Sequence, residues 1–258
     1  MLTNPANRFL DQVASDHTPT PQSRSYFLKA AEAAAARGVF LELSDFHELQ
    51  AINAANMVNW RPLHTSFRID TGGVLERPGF VVVGRDRAGQ VVCTQAGKLM
   101  DWSQSNLKRE AESLRCFYSD PSIQAASGET CVVTAPNAED ITGSVVFLGA
   151  VWYHPSMRGR QLARIVPRIG RVLSLSRWNV DSVCGVIADA NNVRDFDKRL
   201  GYSEVTRHVI HTNSPSYPNA TTLYVLCRMQ REEIITDSAA FVRNFNVDFD
   251  ERARDRSA

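Results

Sequence analysis

Apolar residues along this chain of 258 residues recur with two different periods. Leu162, Ile165, Val166, Ile169, Val172 and Leu173 fall at i, i+3, i+4, i+7, i+10 and i+11, the stripe of an amphipathic helix lying on a sheet. Pro167 sits inside that stripe and predicts a kink. Two continuous apolar stretches flank it, Ser144–Tyr153 and Asp181–Ala188, and both read as buried strands. Gly79–Gly84 and Gln90–Ala96 form a hairpin around the turn Asp86–Gly89, and Ser203–Thr212 and Thr221–Met229 form a second. Val39–Leu43 and Glu129–Thr134 are shorter strands. Helices are predicted from Ser25 to the stop Arg37-Gly38, and from a Ser44 or Asp45 cap to about Met57. Further helices are predicted over Trp102–Tyr118, Asn192–Leu200 and Arg231–Asn244.

The resulting order is an α/β (α+β) layout, with one mixed sheet covered by helices on both faces. Residues 1–25, with Thr18-Pro19-Thr20-Pro21, read as an extended or partly disordered arm. Residues 26–230 make the main domain, with an inserted helical segment near 101–128, and residues 231–258 add a helix and a charged tail.

Charge narrows the partners. Lys plus Arg is 29 and Asp plus Glu is 28, so the balance of +1 lacks the basic excess of a nucleic-acid binder. No apolar run approaches the ~20 residues of a membrane span, and the first residues carry no secretory pattern. The five cysteines include no CxxC pair, which fits reduced thiols in a cytoplasmic protein and no metal site. His208 and His211, three apart on a strand, face opposite sides and do not share a metal.

The candidate chemistry lies between the strand ending at Tyr153 and the helix that follows. The turn Tyr153-His154-Pro155-Ser156-Met157-Arg158-Gly159-Arg160-Gln161-Leu162-Ala163 is basic and glycine-containing. A helix start offers amides without intrahelical partners, so this turn can hold a phosphate. Arg160, Arg164, Arg168 and Arg171 continue as a stripe, for which a solvated face is the expectation. The other partners open to that stripe are a phosphate group, an acidic carrier protein or nucleic acid.

The segment resembles the acyl-CoA-binding motif of the GNAT (GCN5-related N-acetyltransferase) superfamily, through Pro155, Arg158, Gly159 and Ala163. Gln161 stands where a second glycine is usual. Ala188–Tyr202 resembles a second family segment, matched by Asn191 or Asn192, Phe196, Leu200, Gly201 and Tyr202, with Asp197 replacing the usual tyrosine. The resemblance implies a mostly antiparallel sheet and an N-acyltransferase using acetyl-CoA or another acyl-CoA. It implies cofactor contacts at Ala150, Val151, Trp152, Tyr153, Arg158, Gly159, Arg160, Gln161, Leu162, Ala163, Asn191, Asn192 and Phe196. Tyr153, His154 and Asp197 are the candidates for acid–base work, with His154 equally readable as a surface residue. Asn59, Trp60, His64 and Tyr217 are the acceptor-pocket candidates. The partners expected are a small-molecule or peptide amine and a second copy of the chain, with no membrane. A non-catalytic acyl-CoA-binding module is the alternative, motivated by Asp197.

Overall fold

The computed structural model describes residues 5–189, 199–213 and 221–249. Eight strands form one sheet: β1 (Phe40–Ser44), β2 (Gly79–Arg85), β3 (Val91–Trp102), β4 (Thr130–Val133), β5 (Gly143–Tyr153), β6 (Ser182–Ala188), β7 (Glu204–Asn213) and β8 (Thr221–Gln230). Their spatial order is β1-β2-β3-β5-β6-β8-β7-β4. Neighbouring strands are antiparallel except β5 and β6, which are parallel. The sheet is thus mixed and mostly antiparallel, with helices on both faces.

One face is covered by α1 (Pro5–Asp16), α2 (Pro21–Ala35), α6 (Val166–Trp178) and α7 (Arg231–Asn244), whose apolar stripes bury Phe9, Phe27, Ile169, Leu173 and Phe241 against Val82, Val146 and Val183. The other carries α3 (Phe46–Ala55), α4 (Leu107–Glu112) and the coil between α3 and β2, over Phe147, Cys184 and Leu226. The short α5 (Ser122–Ala126) buries none of its residues. Strand alternation sends Val146 to the first face and Phe147 to the second.

Three expectations are corrected. Residues 5–16 are not an extended arm: Ala6, Phe9, Leu10 and Val13 recur at i, i+3, i+4 and i+7, and all four are buried. The helix expected over Trp102–Tyr118 shrinks to α4, because β3 continues through Trp102 and Asn106 caps the helix after it. Helix α6 begins at Val166, not Leu162, so Pro167 lies in its first turn, where its missing N–H costs nothing, and no kink is needed.

The arginine stripe is not a solvated face. Arg168 donates to both carboxylate oxygens of Asp237 on α7, at 2.9 and 3.1 Å. Arg171 is 1% exposed, donates to the Leu200 carbonyl at 2.9 Å and lies over the Tyr202 ring. Arg177 pairs with Asp16 of α1. These residues clamp α6 to its neighbours, which leaves Arg158 and Arg164 as exposed cations at its entrance. All five cysteines are buried, none in a disulfide, and no metal-ligating cluster occurs among the described residues.

Candidate functional site

The β5–β6 ladder pairs Val145–Leu148 with Ser182–Gly185 and stops there, although β5 runs on to Tyr153 and β6 to Ala188. A Cβ on Gly185 would stand 2.6 Å from the Leu148 carbonyl oxygen, so glycine permits the last close approach before the strands part. Beyond it, the β6-facing main-chain groups of Gly149–Tyr153 have no strand partner. The mouth is V-shaped, and Gly149–Val151 and Val186–Ala188 along it are half-buried.

Strand β5 bulges within this mouth. Thr94 pairs with Trp152 and Ala96 with Gly149, so Ala150 and Val151 together face one residue, Gln95. Ala150 takes φ +51°, and Thr94 Oγ1 donates to its carbonyl at 2.7 Å. The extra residue exchanges the two faces for everything after it. Trp152 therefore joins the face of α3, stacked on Trp60 at 5.1 Å between ring centroids and 13° between planes. Tyr153 instead packs in the core beneath α6.

The sequence following β5 folds into two short 3-10 turns, Pro155–Met157 and Leu162–Arg164, before α6 starts. Gly159 has φ +80° and Gln161 φ +58°. Gln161 thus holds the left-handed conformation that a glycine takes without strain. Among the described residues, none accepts from the main-chain N–H of Gly159, Gln161, Leu162 or Ala163. Four amides without acceptors at the approach to α6, with the exposed Arg158 beside them, form a donor set suited to a pyrophosphate. Arg160 turns away from it: its amide bonds the Met157 carbonyl and its Nη1 donates to the Arg37 carbonyl at 2.8 Å.

Of the acid–base candidates, His154 caps the first 3-10 turn. Its Nδ1 lies 2.7 Å from Ser156 Oγ and accepts from the Ser156 N–H at 3.3 Å. The Tyr153 hydroxyl is buried without a partner, and burial pushes its pKa well above the usual value. Such a phenol is a poor proton donor at neutral pH. Asp197, Asn191, Asn192, Phe196 and Tyr217 lie outside the described residues.

On the α3 side, Asn59 is exposed and Trp60 half-buried. His64 repeats the arrangement at His154: its Nδ1 accepts from the Ser66 N–H at 3.3 Å, with Ser66 Oγ at 3.1 Å. The Phe117 and Tyr224 rings stand edge-on to its imidazole at 5.5 and 5.9 Å, and Phe147 lies at 6.4 Å. Burial among these rings, with the Lys98 charge nearby, lowers the His64 pKa to about 4. Lys98 is itself buried, its Nζ donates to the Gly72 carbonyl at 2.7 Å, and desolvation lowers its pKa to about 8.

Sequence reasoning missed Thr94 and Gln95. Gln95 is buried and bonds the first turn of α6, with Oε1 accepting from Gly170 N–H at 3.1 Å and Nε2 donating to Pro167 O at 3.3 Å. A buried glutamine on a strand opposite a bulge leaves no mark in periodicity. The repeated His-x-Ser of His64–Ser66 and His154–Ser156 was the available signal for the two caps.

No protein-family model and no curated protein matches this sequence. Solved structures do match. The dodecameric spermidine N-acetyltransferase from Vibrio cholerae is 8% identical, covering 76% of this chain and 95% of that one, with a TM-score of 0.44. The aminoglycoside acetyltransferase AAC(6')-Ib, solved with an aminoglycoside and acetyl-CoA, is 13% identical, covering 81% and 98%, with a TM-score of 0.41. The same spermidine enzyme in complex with CoA and spermine is 11% identical, covering 77% and 98%, with a TM-score of 0.41. These N-acetyltransferases of known structure are what this chain is similar to.

Proposed function

We propose that the chain is an acyl-CoA-dependent N-acyltransferase. The observation that carries the proposal is the junction of the parting β5 and β6 strands with four acceptor-free amides at Gly159, Gln161, Leu162 and Ala163. The residues fit the cosubstrate's parts. Those amides and Arg158 would hold the pyrophosphate, and the unpaired edges of Gly149–Tyr153 and Val186–Ala188 would bond the amides of the pantetheine arm. A bound acyl-CoA supplies a thioester acyl group open to attack by an amine.

In the transfer, the amine lone pair forms an N–C bond to the carbonyl carbon. The C–S bond breaks with its electron pair going to sulfur, and the proton lost by nitrogen ends on the thiolate or on water. The products are an amide and free CoA thiol. The chain contributes position first: holding the two reactants in line supplies up to about 7–11 kcal/mol. An unpaired N–H of the Gly149–Tyr153 edge is suited to stabilise the negative charge growing on the carbonyl oxygen, a contribution of about 3–4 kcal/mol for such donors.

A second reading, an acyl-CoA-binding module without catalysis, is favoured by one observation: His154 is engaged as a cap and the Tyr153 hydroxyl is sealed in the core. Calorimetric titration with acetyl-CoA, CoA and adenosine 3′,5′-bisphosphate tests both readings. Micromolar binding is expected, and no binding up to ~1 mM, about −4 kcal/mol, overturns them together. CoA thiol release across an amine series then separates enzyme from module.

A further inference from the structure

The identity of the acceptor is open to the same kind of argument, resting on the acyl-CoA reading above. Beneath α6 the mouth of the sheet is closed by packed core, including Leu148 and Tyr153. Among the described residues, the side of the sheet away from that core is the one on which Trp60, His64, Phe117, Trp152 and Tyr224 stand, and it is the side assigned here to the incoming amine.

Two polar atoms on that face lack acceptors. Trp152 is 5% exposed, and its Nε1–H has no partner. At His64, the main-chain N–H of Ser66 can only donate, so Nδ1 keeps its lone pair and the neutral imidazole carries its proton on Nε2. No described residue accepts from that Nε2. Both atoms are therefore donors: His64 Nε2–H belongs to a half-buried ring, whereas Trp152 Nε1–H is a buried donor without an acceptor, which costs about 1–3 kcal/mol that an oxygen of a ligand recovers. The same wall holds the Lys98 cation, and among the described residues no carboxylate is hydrogen-bonded to Trp60, His64 or Trp152.

We propose that this face is the acceptor subsite. It takes a primary amine carried by a flat apolar group together with a carbonyl or carboxylate, as in an aromatic amino acid, with His64 Nε2–H and Trp152 Nε1–H donating to its oxygen atoms. The rings supply apolar surface for the body of the acceptor. A polyamine would meet these donors and a buried lysine, and among the described residues no carboxylate is hydrogen-bonded to Trp60, His64 or Trp152 to draw its ammonium groups.

The test measures thiol release from acetyl-CoA with L-phenylalanine, L-tryptophan, phenethylamine and spermidine. The amino acids are expected to exceed phenethylamine, which lacks the carboxylate, by at least tenfold in kcat/KM, with spermidine lowest. In His64→Phe, the ratio of kcat/KM for phenylalanine to that for phenethylamine should fall at least fivefold. His64→Gln, which keeps an N–H donor, should restore part of the ratio. Spermidine matching the amino acids, or a wild-type ratio in a folded His64→Phe, overturns the assignment. The wild-type protein provides a readout that needs no variant: L-phenylalanine should perturb its tryptophan fluorescence and spermidine should not. A protein that binds CoA yet neither binds nor acylates these amines refutes the acceptor class and leaves the acyl-CoA site standing. Failure to bind CoA removes the reading underneath.

Discussion

Replacing Gly159 by Glu and, separately, by Gln isolates one charge at the point where the pyrophosphate is proposed to lie. Both side chains must adopt φ near +80°, so both variants should lose the same ~1–2 kcal/mol of stability through left-handed strain. They differ only in the carboxylate. A carboxylate about 5 Å from one phosphate charge is repelled by about 3 kcal/mol at an effective dielectric of 20, and by about 0.8 kcal/mol in bulk water. The loop is exposed at Gly159 but backed by the buried Leu162, which places the penalty toward the upper figure. Gly159→Glu should therefore bind CoA roughly 30- to 150-fold more weakly than Gly159→Gln, at about 1.4 kcal/mol per tenfold. Calorimetric titration of both proteins gives the ratio, and urea unfolding checks that their stabilities match. The ratio should shrink as salt rises, because the Debye length falls from about 10 Å at 0.1 M to about 3 Å at 1 M. A ratio below threefold at low salt, with matched stabilities, would mean that no phosphate sits against these amides.

Arg37→Met removes hydrogen bonds to the Ala33 and Val247 carbonyls and contacts with the Phe245 and Phe249 rings. Two charged hydrogen bonds of about 1.5–3 kcal/mol each, less the desolvation of the guanidinium, predict a loss of roughly 2–3 kcal/mol in urea unfolding. Neutral His64 is the form that folding favours, so its contribution is complete above pH 6.5 and lost as pH falls toward 4. The wild-type protein should lose up to about 3 kcal/mol across that window relative to His64→Phe, and parallel profiles would exclude the histidine as the cause. Ala150→Gly relieves a φ of +51° and should gain about 0.5–1 kcal/mol, whereas Ala150→Val should lose more than 1 kcal/mol; melting temperatures in that order support the bulge.

The strands and the glycine-bearing turn between β5 and α6 were legible in the sequence because apolar runs and a glycine at a strand–helix junction have direct physical meaning. Ser182–Ala188 and Arg231–Asn244 fall where periodicity puts them. Asp45 caps α3, as its position before the helix suggests. Helix α1 was equally legible from Ala6, Phe9, Leu10 and Val13, but the Thr-Pro repeat after it pointed to disorder. The arginines misled for a different reason: a guanidinium reads the same whether it meets water or Asp237, and only tertiary structure brings α7 alongside. The bulge at Ala150 had no signal at all, and it decides which of Trp152 and Tyr153 faces the α3 side. A strict two-residue alternation would have placed them the other way round.

The bond from Arg37 to Val247 joins residues 210 positions apart in sequence. At a synthesis rate of about 5–20 residues per second, α2 waits roughly 10–40 s on the ribosome before the segment that seals its end exists. Throughout that interval the buried arginine and the apolar stripe of α2 lack their covering from α7 and Phe245–Phe249. The layer behind residues 155–164 therefore closes only after the chain has been made through Val247, long after α2 itself is complete.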